Sequence, residues 1–180
     1  INDLDPDAIA RAKQEFTTKN PHLEQDIASW DDIAFLKKAK VTISGAITNT
    51  AIILLGKPES DHFISPAQSQ ITWVLKDEQG IEKDYEHFSA PLLLNVDSAF
   101  SKIRNIHFRH LPDGTLFPIE VMQYDTWVIR EALHNCIAHQ DYTKHGKINF
   151  VENPDELIFT NLGDFIPGSV ENVIQQDSPP

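Results

Sequence analysis

Apolar and polar residues follow two different periods along this chain, and the change comes near residue 68. Before it, helical spacing recurs in three stretches: residues 7–18, 29–39 and 47–56. Asp5 is the predicted N-cap of the first helix, Ser29 opens the second, and Gly56 ends the third. The pattern therefore predicts a mainly helical connecting segment over residues 1–60.

After residue 68, short runs rich in β-branched and aromatic residues flank turns, which is typical of hairpins. The three predicted hairpins pair residues 70–76 with 81–89, 107–111 with 115–122, and 147–152 with 156–161. Helical patterns lie between and after them, at residues 95–106, 128–139 and 169–176. Hairpins interleaved with helices indicate an α+β fold, with a mixed or antiparallel sheet covered by helices on one face. We assign residues 61–180 to this region and expect it to be truncated at its C-terminus, because the pattern stops just after a helix.

The charge of the chain limits the partners that it can bind. Of its 180 residues, 41% are hydrophobic and 23% are charged, as in ordinary globular proteins, but the formal net charge is −12. This charge argues against binding nucleic acid or an anionic membrane by bulk electrostatics, because phosphate neutralisation needs a basic face. The apolar runs are too short to span a membrane, and the single cysteine, Cys136, fits a reducing compartment. We therefore expect a cytoplasmic protein.

Residues 130–142, REALHNCIAHQDY, concentrate several chemically versatile side chains. On a helix, the apolar residues share one face: Val128, Ile129, Ala132, Leu133, Cys136 and Ile137. Glu131, Asn135 and His139 follow at i, i+4 and i+8, and they form one polar stripe at the boundary of that face. A carboxylate, an amide and an imidazole in line suit the wall of a pocket, and they equally suit a solvated helix edge. The residues alone leave both interpretations open.

Spacing disfavours several other kinds of site. His134 and His139 are five residues apart and lie on different sides of a helix, unlike a zinc pair at i, i+4. Cys136 lies on the apolar face, which is typical of a core residue. The glycine and lysine at 56–57 lack the earlier glycine of a P-loop. A hydrolase that uses Glu131 and His139 has no nucleophile at a matching spacing.

Together with DELIFTNLGDFIPGSVENV at residues 155–173, the block at 130–142 resembles a bacterial family labelled as RecG-related ATP-dependent DNA helicases or transcriptional regulators. Family members carry REAL-x-N-x-x-x-HRDY, then a strand, then NPGGLP, and the likeness is dense over residues 124–168. In the family, an AlbA-like, Schlafen-type DNA-binding domain precedes this region. The resemblance therefore implies that DNA is bound by a domain absent from this chain. No P-loop or motor motif supports the helicase label.

The REAL-x-N block is also similar to the N-box of the GHKL ATPases, in which a helix supplies a Glu and, four residues on, an Asn. This resemblance implies that ATP and Mg²⁺ are the cofactors. It makes Glu131 the catalytic residue that supports hydrolysis, while Asn135 holds Mg²⁺, a hard ion suited to oxygen ligands, against the phosphates. His139, Asn161 and Gly163 are the further residues that it assigns to the nucleotide pocket.

Three positions depart from these patterns, so we describe the region as divergent GHKL-like. Asn161 stands where GHKL proteins place the Asp that reads adenine, and Phe165 replaces the second glycine of that box. Gln140 stands where the RecG-related family has Arg, which removes a cationic partner for phosphate.

The sequence thus predicts a fragment of a RecG-related transcriptional regulator in which ATP acts as a conformational ligand, with weak ATPase activity left open. The alternative is a nucleotide-free scaffold of the same regulator, for dimerisation or another interaction, with a degenerate pocket. Asn161 and Phe165 favour the scaffold, whereas the pair of Glu131 and Asn135 favours nucleotide binding. We expect a homo-oligomer under either interpretation.

Overall fold

A computed structural model describes residues 1–163 of the protein, so Phe165 and the helix predicted at 169–176 lie outside the described residues. The helices in this range are α1 (Pro6–Lys19), α2 (Glu24–Ser29), α3 (Asp32–Lys38), α4 (Asn49–Leu55), α5 (Leu92–Lys102) and α6 (Thr126–His139). The strands are β1 (Thr42–Ile43), β2 (Ala46–Ile47), β3 (Gln70–Lys76), β4 (Glu82–Ser89), β5 (His107–His110), β6 (Ile119–Met122), β7 (Ile148–Glu152) and β8 (Leu157–Thr160). Among these helices, none has the length and apolar character that a membrane span requires.

Caps decide where the helices begin, and two of the predicted starts are wrong. Asp5 caps α1 as predicted, since its Oδ1 accepts two backbone N–H groups of the first turn at 2.9 and 3.0 Å. Ser29, predicted to open a helix, is instead the last residue of α2; α3 begins after Asp31, whose carboxylate accepts a backbone N–H at 2.7 Å. α5 begins earlier than predicted, at the buried Leu92, and the backbone oxygen of its N-cap residue Pro91 accepts the N–H groups of Leu94 and Asn95 at 3.1 and 3.2 Å.

A four-stranded mixed sheet in the order β4-β3-β7-β8 forms the centre of the fold. β3 is antiparallel to β4 and parallel to β7, and β7 is antiparallel to β8. The first and third predicted hairpins are therefore confirmed, and the parallel β3–β7 pair joins them. The chain between β3 and β7 includes α5, the β5–β6 hairpin and α6. It is therefore long enough for the crossover that two parallel strands require. β5 and β6 form a separate antiparallel ribbon, which confirms the second hairpin.

Helices cover one face of the central sheet. The side chains that alternate onto that face are buried: Ile71, Trp73, Phe88, Ile148 and Phe150. They belong to one hydrophobic cluster with Leu92 of α5 and Leu133 of α6. On the opposite face, Val74 and Val151 are half-buried and Tyr85 is exposed. The protein therefore has the predicted α+β fold, with a mixed sheet and helices on one face.

The N-terminal helices contribute to the same hydrophobic cluster. Ala8 of α1, Phe35 of α3 and Ile52 of α4 are at most 4% exposed and belong to the cluster that includes the sheet residues. This shared core positions α4 beside α5 and α6, where it forms one wall of a cavity described below. The division of the chain near residue 60 stays a prediction.

Candidate functional site

α6 buries a narrower face than the sequence predicts. The helix begins after Asp125, whose side chain accepts a backbone N–H of the first turn at 2.7 Å. Ile129, Leu133 and Cys136 are at most 7% exposed, whereas Val128, predicted to share their face, is 55% exposed. Val128 lies about 100° from Ile129 around the helix axis. The buried residues of α6 therefore follow one stripe at spacings of four and three residues, and the half-buried Ile137 also packs against the core.

The predicted polar stripe lies on the exposed side of α6. Glu131, Asn135 and His139 are all exposed, and Asn135 Nδ2 donates a hydrogen bond to Glu131 Oε1 at 3.2 Å. Because the helix rises about 1.5 Å per residue, the stripe extends about 12 Å along the axis. The contact uses the amide nitrogen of Asn135, so the amide oxygen, which is the atom that a cation binds, is not consumed by it.

The C-terminal end of α6 contacts the residues that follow β8. A Cβ added to Gly163 would lie 2.0 Å from the backbone oxygen of His139 and 2.7 Å from Nδ2 of Asn161, so only glycine permits this approach. The side-chain Oε1 of Gln140 accepts the backbone N–H of Leu162 at 2.7 Å and ties the loop to the helix. The structure thus brings His139, Asn161 and Gly163 together at one end of the stripe, while Glu131 and Asn135 lie one to two turns away.

Gln140 has a structural role that sequence reasoning missed. Its side chain is buried, with the residue 6% exposed, and its Nε2 has no hydrogen-bond acceptor among residues 1–163. Exchanging the oxygen and nitrogen of the Gln140 amide would not remove the unpaired donor, because the backbone N–H of Leu162 requires the amide oxygen as its acceptor. An unpaired buried donor is costly, so Nε2 marks a position where an acceptor from a ligand or from elsewhere in the chain would stabilise the loop. The sequence singled out Gln140 only as a departure from the arginine of the RecG-related family, which did not indicate this contact.

The cations on α6 and in the turn after it are paired with carboxylates. Arg130 donates to Asp97 at 2.7 Å, and Lys144 contacts Asp141 at 3.1 Å. Hydrogen bonds from Thr143, together with Lys144, lower the pKa of Asp141 to about 2, so this carboxylate is ionised at neutral pH. A polyphosphate at the stripe would therefore depend on a counter-ion of its own.

The stripe offers too few oxygen ligands to hold a metal ion permanently. It is better suited to an ion that is bound together with a ligand, such as Mg²⁺ on a polyphosphate. Within residues 1–163, no group of three or more His, Cys, Asp or Glu side chains is arranged to hold a metal ion. Mg²⁺ takes six oxygen ligands, of which Glu131 and Asn135 can provide a small share. Phosphate oxygens and water would supply the others, as in many nucleotide sites.

A cavity of about 470 Å³ lies beside α6, between α4 and α5. Its mainly apolar walls include Ile53, Leu54, Leu93, Val96, His134 and Tyr142. The Tyr142 hydroxyl donates to the backbone oxygen of Ile137 at 3.1 Å, and burial raises the pKa of this phenol. No spacing signal in the sequence predicts this cavity, because its walls come from three separate helices and the turn after α6.

We expect Cys136 to react slowly with thiol reagents in the folded protein. The residue is 7% exposed, so reagents have little access to its sulfur. Burial also raises the pKa of the thiol, which lowers the fraction present as the reactive thiolate. Titration with dithionitrobenzoate at mildly alkaline pH should give less than about a tenth of the rate of the unfolded chain. Full reaction in guanidinium chloride is the control, and an equally fast reaction under native conditions would contradict the buried position.

Residues 1–69 match a family model described as a domain of unknown function (DUF8451), which covers less than half of the chain. No match is found among curated proteins. Among solved structures, the chain is similar to the DIP2311 protein from Corynebacterium diphtheriae, with a TM-score of 0.66 and 17% sequence identity, covering 91% of this chain. The chain spans 31% of the length of that protein. At this identity the similarity shows a shared fold alone.

Proposed function

We propose that this chain is part of a bacterial RecG-related transcriptional regulator and contains a divergent GHKL-like module that binds ATP with Mg²⁺. In this proposal Glu131 orients water or supports slow hydrolysis, and Asn135 holds Mg²⁺ against the phosphates. His139, Asn161 and Gly163 line the same pocket. The nucleotide acts as a conformational ligand coupled to a DNA-binding domain outside these 180 residues.

One observation carries the proposal: the exposed pair of Glu131 and Asn135 lies on the helix whose end contacts the loop after β8. The N-box resemblance requires a helix and a glycine turn after a strand to border one pocket. The close approach of Gly163 to His139 supports that arrangement. Gln140 Nε2 adds a buried donor in need of an acceptor at the same end.

The acidic charge supports a separate DNA-binding domain and a dependence on Mg²⁺. A chain of net charge −12 repels the phosphates of both DNA and ATP. Contact with DNA is therefore assigned to a domain outside this chain. For the nucleotide, Mg²⁺ offsets part of the phosphate charge, which Arg130, already paired with Asp97, is poorly placed to do. Homo-oligomerisation is part of the proposal, as symmetric assembly is common among soluble proteins.

Asn135→Ala should abolish binding of Mg²⁺-ATP without unfolding the protein. The substitution removes the proposed cation ligand from an exposed position that makes no core contact. Isothermal titration of Mg²⁺-ATP into the wild-type chain should give saturable heat, which EDTA and Asn135→Ala should both remove. Matched thermal melts would show that the variant is folded.

His134→Ala is the control for that titration, because His134 is exposed on α6 but lies off the polar stripe. It should bind Mg²⁺-ATP with the affinity of the wild-type chain. Equal affinity of Asn135→Ala and the wild-type chain would refute the assigned site. Binding that survives EDTA would refute the role of Mg²⁺.

A nucleotide-free scaffold with the same fold is the second candidate. Glu131 and Asn135 are hydrogen-bonded to each other and exposed to solvent. Side chains on a helix edge without a binding function have the same arrangement. Asn161 lacks the charge of the carboxylate that reads adenine in the GHKL proteins. A folded wild-type chain that gives no heat with Mg²⁺-ATP would support the scaffold over the nucleotide-binding module.

A further inference from the structure

The β5–β6 hairpin, residues 106–123, presents a cluster of large apolar side chains to solvent. At its tip, Leu116 and Phe117 are 89% and 80% exposed. Five more side chains of this segment are 46–57% exposed: Ile106, Phe108, Leu111, Ile119 and Met122. In the β5–β6 register Phe108 and Ile119 lie on one face of the ribbon and Met122 lies on the other. We refer to Phe108, Ile119 and the two tip side chains, Leu116 and Phe117, as the hairpin patch. Large exposed apolar patches are often functional and mark interaction surfaces.

The base of the hairpin is held by side-chain hydrogen bonds. Asn105 Nδ2 donates to the backbone oxygen of Tyr124 at 3.0 Å, and Asn105 Oδ1 accepts the backbone N–H of Tyr124 at 2.9 Å. The N–H of Gln123 donates to the oxygen of Ile106 at 2.9 Å. These contacts continue the β5–β6 ladder toward α6, so the hairpin projects as a defined arm.

The tip of the hairpin is a hydrogen-bonded turn. The backbone N–H of Thr115 donates to the oxygen of Pro112 at 3.2 Å, and Gly114 has a φ of +79°, which favours glycine. This turn directs the chain so that Leu116 and Phe117 follow it on the surface. Leu116 and Phe117 are therefore exposed next to a turn of defined conformation.

The charge of the hairpin is suited to self-association. Residues 106–123 hold one cation, Arg109, and two carboxylates, Asp113 and Glu120, in a chain of net charge −12. Arg109 lies opposite Glu120 in the ribbon. Two copies of an acidic chain repel each other, so they can associate best through a nearly neutral surface.

The area of the hairpin patch reaches the lower limit for a specific interface. Its four side chains expose on the order of 500 Å², so two copies would bury about 1,000 Å² in total, the least that is expected of a biological interface. In addition, the β5–β6 ribbon has two strands, and isolated two-stranded hairpins are at best marginally stable in water. Contact with a second copy would bury the apolar side chains and stabilise the ribbon.

We propose that the hairpin patch is a homodimerisation arm that packs against the hairpin patch of a second copy of this chain about a two-fold axis. An isologous contact of this kind is self-complementary, because each copy contributes the same apolar surface. The tip residues Leu116 and Phe117, as the largest exposed contributors, lie in the contact. The inference does not rest on nucleotide binding by α6, and either function proposed above is compatible with it.

Sedimentation equilibrium tests the proposal on three chains. These are the wild type, the patch variant Leu116→Ser/Phe117→Ser, and the control variant Ile43→Ser/Ile81→Ser, which removes side chains 66% and 57% exposed outside the patch. At about 50 µM, the wild type and the control should be dimers, and the patch variant should be a monomer with at least about a tenfold loss of dimer affinity. A monomeric wild type, or a patch variant that dimerises like the wild type, would overturn the proposal.

Hydrogen exchange on the unmodified chain gives a second test that needs no substitution. Dilution to the monomer should speed exchange of the amides of β5 and β6, while the amides of the β3–β7 pair should keep their protection. If dilution dissociates the dimer but leaves exchange of the β5–β6 amides unchanged, another surface forms the dimer and the proposal is wrong.

Discussion

Phe150→Ala should lower the free energy of unfolding by about 3–5 kcal/mol, because it removes a fully buried ring and leaves a cavity. Phe150 is 0% exposed in the central strand β7. It lies opposite Trp73 of β3 and Phe159 of β8. The rings of Phe150 and Phe159 are stacked, with 5.8 Å between their centroids. Backbone pairing on both sides prevents β7 from moving inward to fill the space. Urea denaturation followed by tryptophan fluorescence measures the effect.

Val151→Ala is the matched control for Phe150→Ala. Val151 is the next residue of the same strand, but it is half-buried on the sheet face that the helices leave open. Its truncation should cost no more than about 1.5 kcal/mol, since the side chain is smaller and its surroundings are partly solvated. Equal costs for the two substitutions would show that the helix-covered face is not the core of the domain.

Arg104→Ala should destabilise the protein by about 3 kcal/mol, because it leaves a carboxylate buried without its cation. The Glu152 side chain is 5% exposed and accepts from Arg104 Nε at 2.5 Å and from Trp73 Nε1 at 3.2 Å. Removal of the guanidinium leaves the indole of Trp73 as a neutral donor to that charge. Arg104 is itself 44% exposed, so water replaces part of the lost contact and keeps the cost near the lower end for buried pairs.

Arg104→Ala/Glu152→Gln isolates the cause of that loss. The amide oxygen of Gln can still accept from Trp73, and no buried charge remains, so the double variant should be more stable than Arg104→Ala. Arg11→Ala is the control, since its pair with Glu15 is 46% and 48% exposed and should be worth less than about 1 kcal/mol. A double variant less stable than Arg104→Ala would show that the cost does not arise from the uncompensated carboxylate.

Local signals predicted most of the elements because they depend on neighbouring residues. The carboxylate of Asp5 caps α1 from within the first turn, and the strands of the three hairpins show their own residue preferences. The errors come from competition between local signals or from tertiary contact. Asp31 caps α3 where Ser29 was expected to, and Val128 is exposed because α6 meets the core along a narrow stripe.

The candidate site was predictable only in part. Helical spacing alone placed Glu131 and Asn135 within hydrogen-bond distance, since i and i+4 side chains are neighbours on any helix. The approach of Gly163 to His139 and the hydrogen bond between Gln140 and Leu162 span more than 20 residues of sequence. No periodicity encodes such a contact, because it depends on where β8 ends relative to α6.

The sequence by itself determined the order of the longer helices and strands, the polar stripe of α6 and the acidic charge of the chain, because each depends on residue type and short-range spacing. It did not predict α2 or the β1–β2 ribbon. Only the tertiary structure decided that β3 and β7 pair in parallel, and that the β5–β6 hairpin keeps its apolar side chains in solvent. The physical reason is that many strands of similar pattern could pair with one another. Burial of a shared core selects one arrangement, and the surfaces which that core does not cover follow from the selection.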